Sequence, residues 1–257
     1  MNRKIRTTFT TLVLAVVFSL DATFIPVRAN APAPVAPSPD LAQYVNPFVG
    51  TGNSPLPDYL GGNKSGNTFP GATLPFGMVQ FSPDTERGFG QEERGSYLYH
   101  DTQIRGFSLT HLSGPGCPIF GDVPIMPVAG QLTVSPAAAP DAYNAKFSHE
   151  RESASPGFYE VALDTGVKVS LTATARTGFG VFTFPAADAA TLLFDVGRNA
   201  SGVSEAAWQV DGDKGLSGSV ASGGFCGSRN KYKVYFAVEF DRPFASVGTW
   251  QGEKVSP

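Results

Sequence analysis

Three histidines and two cysteines are the scarce reactive side chains of this 257-residue sequence, and their spacing excludes more chemistry than it admits. His100, His111 and His149 are scattered, and none stands at the short distance from a second histidine that a local zinc site requires. Walker-type phosphate loops, dinucleotide fingerprints, His-Glu-x-x-His and Cys-x-x-Cys are all missing. The run His111-Leu112-Ser113-Gly114-Pro115-Gly116 lacks the Gly-x-Ser-x-Gly elbow that presents a hydrolase serine between strand and helix. The same run does fit a polar lip, because His111 and Ser113 alternate with glycines that let a ligand approach the backbone. A plain turn is the competing reading. Asp84, in Ser82-Pro83-Asp84-Thr85, follows the apolar run Gly77–Phe81. A strand ending there would deliver its carboxylate to a loop, and an Asx-turn is the alternative. Gly121-Asp122 reads as a turn.

Aromatic faces beside planar polar groups are the means by which proteins hold sugars. The segment from Asp40 to Pro124 offers Phe48, Tyr59, Phe69, Tyr97, Tyr99 and Phe107 among Asn, Asp and Ser residues. In a β-protein such rings are also ordinary core residues. The segment is dense in glycine but too rich in Phe, Tyr, Leu and Pro for disorder, so it reads as a surface-lining, site-building stretch.

The elements that must hold these groups are strands. Gly and Pro are plentiful (29 and 21) and charged residues make up 16%, which favours short strands joined by turns over long amphipathic helices. Val167, Val169, Leu171 and Ala173 alternate with polar residues, as do Tyr232, Val234, Phe236, Val238 and Phe240; Phe179, Val181 and Thr183 repeat the period. Turn chemistry every 8 to 15 residues, as at Ser155-Pro156-Gly157 and Asp164-Thr165-Gly166, predicts antiparallel sheets packed face to face in a β-sandwich.

Residues 1–31 read as an export signal, with basic Arg3, Lys4 and Arg6, an apolar run from Thr11 to Leu20, and small-residue cleavage sites near Ala29 and Ala31. The run is too short for a stable membrane span. Loss of Arg3, Lys4, Arg6, Arg28 and Asp21 would lower the formal net charge from −3 to −6, which argues against a nucleic-acid partner. Residues 32–43 form a Pro/Ala-rich leader, and the domain is expected over 44–257. Export places Cys117 and Cys226 in an oxidising compartment, where one pairing exists; whether it forms, or the thiols stay free and buried, is open.

Read together and in order, the runs Tyr44-Val-Asn-Pro-Phe-Val-Gly-Thr51, Asn67-Thr-Phe-Pro-Gly-Ala72, Leu74-Pro-Phe-Gly-Met-Val-Gln80, Ser82-Pro-Asp-Thr85, Gly106-Phe-Ser108, Thr110-His-Leu-Ser-Gly114 and Gly116-Cys117 resemble the N-terminal domain of glycoside hydrolase family 92. Pro156-Gly-Phe-Tyr159, Leu171-Thr-Ala-Thr174, Gly224-Phe-Cys-Gly227 and Lys233-Val-Tyr-Phe236 extend the likeness. The resemblance implies a supersandwich-like β-domain in front of a C-terminal (α/α)6 barrel, in a calcium-dependent, inverting exo-α-mannosidase, and the export signal makes it secreted or periplasmic. Calcium and the catalytic carboxylates belong mainly to the barrel, so no catalytic or metal residue is assigned here. By the same resemblance, Phe48, Asp84, His111, Ser113, Gly114, Cys117 and Cys226 are the candidate contacts to an α-mannoside glycan. Leu109, Pro115, Gly180 and the lack of Trp between Asp84 and Tyr97 depart from the family pattern and bear on linkage preference. A free-standing lectin-like module is the alternative function, and a sandwich without ligand a third.

Overall fold

Alternation at period two decides which side of each strand faces inward. In the computed structural model, Val167, Val169, Leu171 and Ala173 are buried while Lys168 and Thr172 between them point to solvent. The structure describes residues 39–52, 65–86, 95–114, 116–186 and 189–256. The expected signal peptide, most of the leader, Tyr59 and Pro115 lie outside them.

After a short 3-10 turn at Leu41–Tyr44, the chain forms β1 (Ala72–Thr73), β2 (Gln80–Thr85), β3 (Gln103–Ser108), β4 (Ile125–Ala129) and β5 (Ala145–Lys146). A four-stranded antiparallel meander follows: β6 (Glu152–Ser155), β7 (Phe158–Ala162), β8 (Lys168–Ala173) and β9 (Gly178–Thr183). Strand β10 (Ala190–Phe194) then returns to the first sheet beside β4, giving the order β1-β2-β3-β4-β10 with β5 on β3. Strands β11 (Glu205–Asp211), β12 (Gly215–Gly223) and β13 (Lys231–Glu239) form a third sheet, and β14 (Thr249–Gln251) and β15 (Lys254–Ser256) a closing hairpin. Every pairing is antiparallel, and the described residues contain no α-helix.

The six-stranded sheet and the meander face each other. Phe81, Ile104, Phe107 and Ile125 from one layer share a core cluster with Tyr159, Val161, Val169 and Leu171 from the other, and the Phe107 and Tyr159 rings lie 6.5 Å apart. Each such side chain contributes about 1.5–3 kcal/mol by leaving water. The expected β-sandwich is therefore the observed architecture.

Register gives one local reading its direction and changes another. Phe179, Val181 and Thr183 occupy the solvent face of β9, because Phe179 pairs with Thr172 and Val181 with Ser170 on the outer side of β8. Gly178, Gly180 and Phe182 face inward instead, and a Cβ on Gly178 would come within 3.0 Å of the Phe81 ring. Period alone cannot say which of two alternating faces is covered. Asp84 also lies inside β2 rather than after it. Pro83 is tolerated there because β1 has already ended, so that edge of β2 needs no amide.

Candidate functional site

The glycine-rich stretches that looked like ligand loops divide into two kinds. Gly66, Gly71 and Gly95 bring backbone against backbone: a Cβ on Gly66 would sit 2.8 Å from the Gly50 Cα, one on Gly71 2.3 Å from the Ser82 Cα, and one on Gly95 2.5 Å from the Thr68 carbonyl oxygen. The Gly50–Gly66 contact welds residues 48–52 to 65–69. Gly66 N donates to Gly50 O at 2.8 Å, Thr68 Oγ1 to Val49 O at 2.8 Å, and Tyr99 N to Thr51 O at 2.9 Å. Gly114 N then donates to Asn67 O at 2.8 Å, which joins the 111–114 run to the same rim. Gly114, Gly116, Gly224 and Gly227 are of the second kind, since a Cβ at any of them would meet nothing within 4 Å. Gly116 needs no left-handed backbone either, so its lack of a side chain serves open space rather than the fold.

Beneath the rim, Asp84 and His111 bond to each other. Their side chains are 1% and 0% exposed, with His111 Nε2 3.0 Å from Asp84 Oδ1 and 3.3 Å from Ser108 Oγ. His111 Nδ1 stands 2.8 Å from the Gln80 carbonyl oxygen, and Phe69 covers the ring with centroids 5.0 Å apart. Both ring nitrogens lie within hydrogen-bond distance of enclosed oxygens, so the ring is fixed in orientation. Asp84 sits at the register shift between β2 and β3, where Asp84 pairs with Gly106 and Thr85 with Ile104. Such bulges re-aim side chains. Asp84 Oδ2 is buried without a hydrogen-bond partner and faces a narrow gap shared with Arg105, Pro124 and Arg198. Burial lowers the Arg105 guanidinium, and Arg198 beside it adds to the effect. Burial likewise pushes the Asp195 carboxyl up, against the pull of Arg198 at 3.0 Å.

The open side of the rim is pinned by a disulfide. Cys117 and Cys226 are bonded with Cα atoms 5.2 Å apart, which settles the pairing left open by the sequence. The segments it joins carry strained backbone: Phe120 and Val123 on one side and Cys226 on the other all have positive φ (65°, 54° and 50°). Each costs on the order of 1–3 kcal/mol and persists only where its surroundings over-determine it. Asp122 does so here. Far from a mere turn, its buried carboxylate accepts from Thr110 Oγ1 (2.8 Å), Asn199 Nδ2 (2.7 Å) and Tyr232 OH (3.1 Å), tying the loop before β4 to β13.

Phe48 lies half-buried at the opposite end of the rim, its ring 6.3 Å from Tyr97 and 5.9 Å from Tyr99. These rings rest on a group that sequence spacing did not reveal. The Glu152 side chain is wholly buried and accepts from Tyr97 OH (2.9 Å), Tyr159 OH (2.5 Å) and His149 Nδ1 (2.7 Å), while the His149 ring stacks on Tyr99 at 3.9 Å. Burial first and the Glu152 carboxylate second hold the Tyr97 and Tyr159 phenols far above their usual 10; burial and then Asp122 do the same for Tyr232.

Groups whose folded value is raised contribute stability that is complete below the unfolded value and is lost as pH rises past it. Above pH 10, each proton retained only by the folded state lowers the unfolding free energy by ~1.4 kcal/mol per pH unit, so the enclosed Tyr97 and Tyr159 together remove up to about 3 kcal/mol per pH unit, and the half-exposed, solvent-screened Tyr232 adds less. Alkaline titration should therefore show their tyrosinate absorbance appearing together with loss of the β-type circular dichroism spectrum. Smooth ionisation of all 8 tyrosines in a still-folded chain would contradict these networks.

Of the sequence-chosen residues, the fold brings Asp84 to His111, links Ser113-Gly114 to the Phe48 rim through Asn67, and bonds Cys117 to Cys226. Ser113, Gly114 and Cys226 are exposed, Phe48 and Cys117 half-exposed, and Asp84 and His111 enclosed. The class this defines is an antiparallel β-sandwich crowned by a disulfide-pinned, glycine-welded rim of loops.

Residues 44–257 match the glycosyl hydrolase family 92 N-terminal domain, and the chain belongs to that family. It is similar to a family 92 α-mannosidase from Bacteroides thetaiotaomicron, with a TM-score of 0.67 and 34% identity over 79% of this chain and 26% of that one. An inverting mannosidase of the same family from Bacteroides thetaiotaomicron VPI-5482 superposes with a TM-score of 0.65 at 30% identity, over 84% of this chain and 27% of that one. An uncharacterized secreted glycosidase of Arthroderma benhamiae is 30% identical over 156 residues, 57% of this chain and 18% of its own length. The chain thus spans about a quarter of those mannosidases and less than a fifth of the glycosidase.

Proposed function

We propose that this chain is the N-terminal, substrate-binding part of an exported, calcium-dependent, inverting exo-α-mannosidase whose catalytic carboxylates lie on a C-terminal (α/α)6 barrel domain. The observation that carries the reading is the family match across 44–257, joined to 34% identity with an α-mannosidase over most of the chain. Export is supported by the basic and apolar start of the sequence and by a relative described as secreted. Among the described residues, no helix is long and apolar enough to cross a membrane.

In this reading the rim forms one wall of the pocket for the terminal mannose. Phe48 supplies an apolar ring, Ser113 a hydroxyl, and Gly114 the room for a sugar to approach. The Cys117–Cys226 bridge stiffens the far side. Asp84 and His111 act from below as positioning residues that hold the start of the lip.

Proton transfer belongs elsewhere. Inversion needs an acid and a base ~6.5–9.5 Å apart across the scissile bond. Four enclosed carboxylates among the described residues are already engaged: Asp84 with His111, Asp122 with Thr110, Asn199 and Tyr232, Glu152 with two tyrosines and His149, and Asp195 with Arg198. In this reading calcium is held mainly by the barrel domain, and no step here runs through it.

The test is hydrolysis of an aryl α-mannoside by the 257-residue chain and by the full-length gene product. We expect no turnover from the former with or without calcium, and chelator-sensitive, inverting turnover from the latter. In the full-length protein, Phe48→Ala or Ser113→Ala should lower kcat/KM by roughly one to two decades, at ~1.4 kcal/mol per decade. For the exposed Ser113 the melting temperature should be unchanged. Turnover by the short chain that a single carboxylate substitution abolishes would overturn the reading. Tight mannoside binding by a chain whose full-length form has no hydrolase activity would favour the lectin-like module.

A further inference from the structure

Between β1 and β2 the chain crosses Leu74-Pro75-Phe76-Gly77-Met78, a loop without a single polar side chain. Phe76 is fully exposed, and Met78 and Leu74 are 66% and 41% exposed. The loop is nevertheless firmly held. Gly77 N donates to Leu74 O at 2.9 Å, Met78 N to Ala175 O at 2.6 Å, and Gln80 Nε2 to Gly77 O at 2.7 Å. Phe76 itself has φ 60°, a left-handed conformation that phenylalanine rarely adopts. Strained backbone that holds a phenyl ring out into water has no folding advantage within this domain, and such strain concentrates where a segment is pre-shaped for a partner.

The surroundings extend the apolar character. Ala175, which receives the Met78 amide, lies in the turn between β8 and β9. Next to that turn, Phe158 and Phe179 flank Thr172 from the two neighbouring strands on the solvent face, each partly exposed. Grouped exposed apolar side chains on a soluble domain mark an interaction surface.

We propose that the Leu74–Met78 loop, with Phe76 as its anchor, docks into the polypeptide that follows this domain in the full-length enzyme. This rests on the reading of the chain as the N-terminal part of a longer protein. About three quarters of each similar mannosidase lies outside the part matched here, and on that reading a partner of that size would be covalently attached. Linkage gives that partner a high effective concentration, which a separate second copy lacks. A glycan is disfavoured because the loop offers no side-chain donor or acceptor to hydroxyl groups.

Hydroxyl-radical footprinting of the unmodified proteins tests this without requiring turnover, so its outcome is separate from that of the hydrolysis assay. Phe76 and Met78 should be oxidised rapidly in the 257-residue chain and about tenfold more slowly in the ligand-free full-length protein, as for a desolvated anchor. Phe76→Ser should leave the melting of the short chain unchanged and lower that of the full-length protein. Three results overturn the proposal: equal oxidation in both proteins; protection of the short chain that grows with its concentration, which identifies a second copy; or protection of the full-length protein only when a mannoside is added.

Discussion

Removing the Cys117–Cys226 bridge, by Cys117→Ser with Cys226→Ser or by reduction, should lower the unfolding free energy by up to ~4.7 kcal/mol. The half-cystines are 109 residues apart, and closing a loop of that size restricts the unfolded chain by about this amount in the chain-entropy model. For a domain of this size, ~2–4 °C accompanies each kcal/mol, so the melting temperature should fall by roughly 10–20 °C. The loss acts mainly on the unfolded ensemble. Denaturant titrations should therefore show a steeper slope as well as an earlier midpoint, because the uncrosslinked chain exposes more surface. A second effect is local: without the bridge, the strained Cys226 turn and the Phe120–Val123 loop lose a common anchor. Calorimetry with and without reductant, beside urea titrations, measures both. A melting temperature that barely moves would show that the bridge does not constrain the unfolded chain.

His111→Ala should cost about 1–3 kcal/mol, the range for leaving buried hydrogen-bonding groups without their partner. The variant leaves Asp84 enclosed with neither carboxylate oxygen paired to the ring, and leaves the Gln80 carbonyl without its donor. Asp84→Ala should cost a similar amount for the converse reason. The double variant should be much less damaged than the sum of the two, because one change already destroys what the other removes. Ser113→Ala, two residues away but exposed, should stay within about 0.5 kcal/mol. Chemical denaturation of the four variants gives the coupling energy directly. Additive losses would mean that the 3.0 Å contact does not operate as a pair.

Legibility in the sequence followed distance along the chain. The buried face of β8 was readable because alternation of Val167, Val169, Leu171 and Ala173 is a local property of extended backbone. The ordered runs from Tyr44 to Phe236 were readable because a family pattern is carried by the residues themselves. With two cysteines, the partner was determined as soon as a bond was assumed. Tertiary structure alone decided that the bond exists, since only the fold brings those Cα atoms to 5.2 Å. It also decided that Phe179 faces solvent, because strand register, not period, selects the covered side. Asp84 and His111 are 27 residues apart, Asp122 and Tyr232 are 110 apart, and Tyr97 and Glu152 are 55 apart. Buried carboxylates find such donors only once loops close and sheets stack. No local spacing records the pairing, and the cost of leaving a buried charge unpaired makes it obligatory in the folded state.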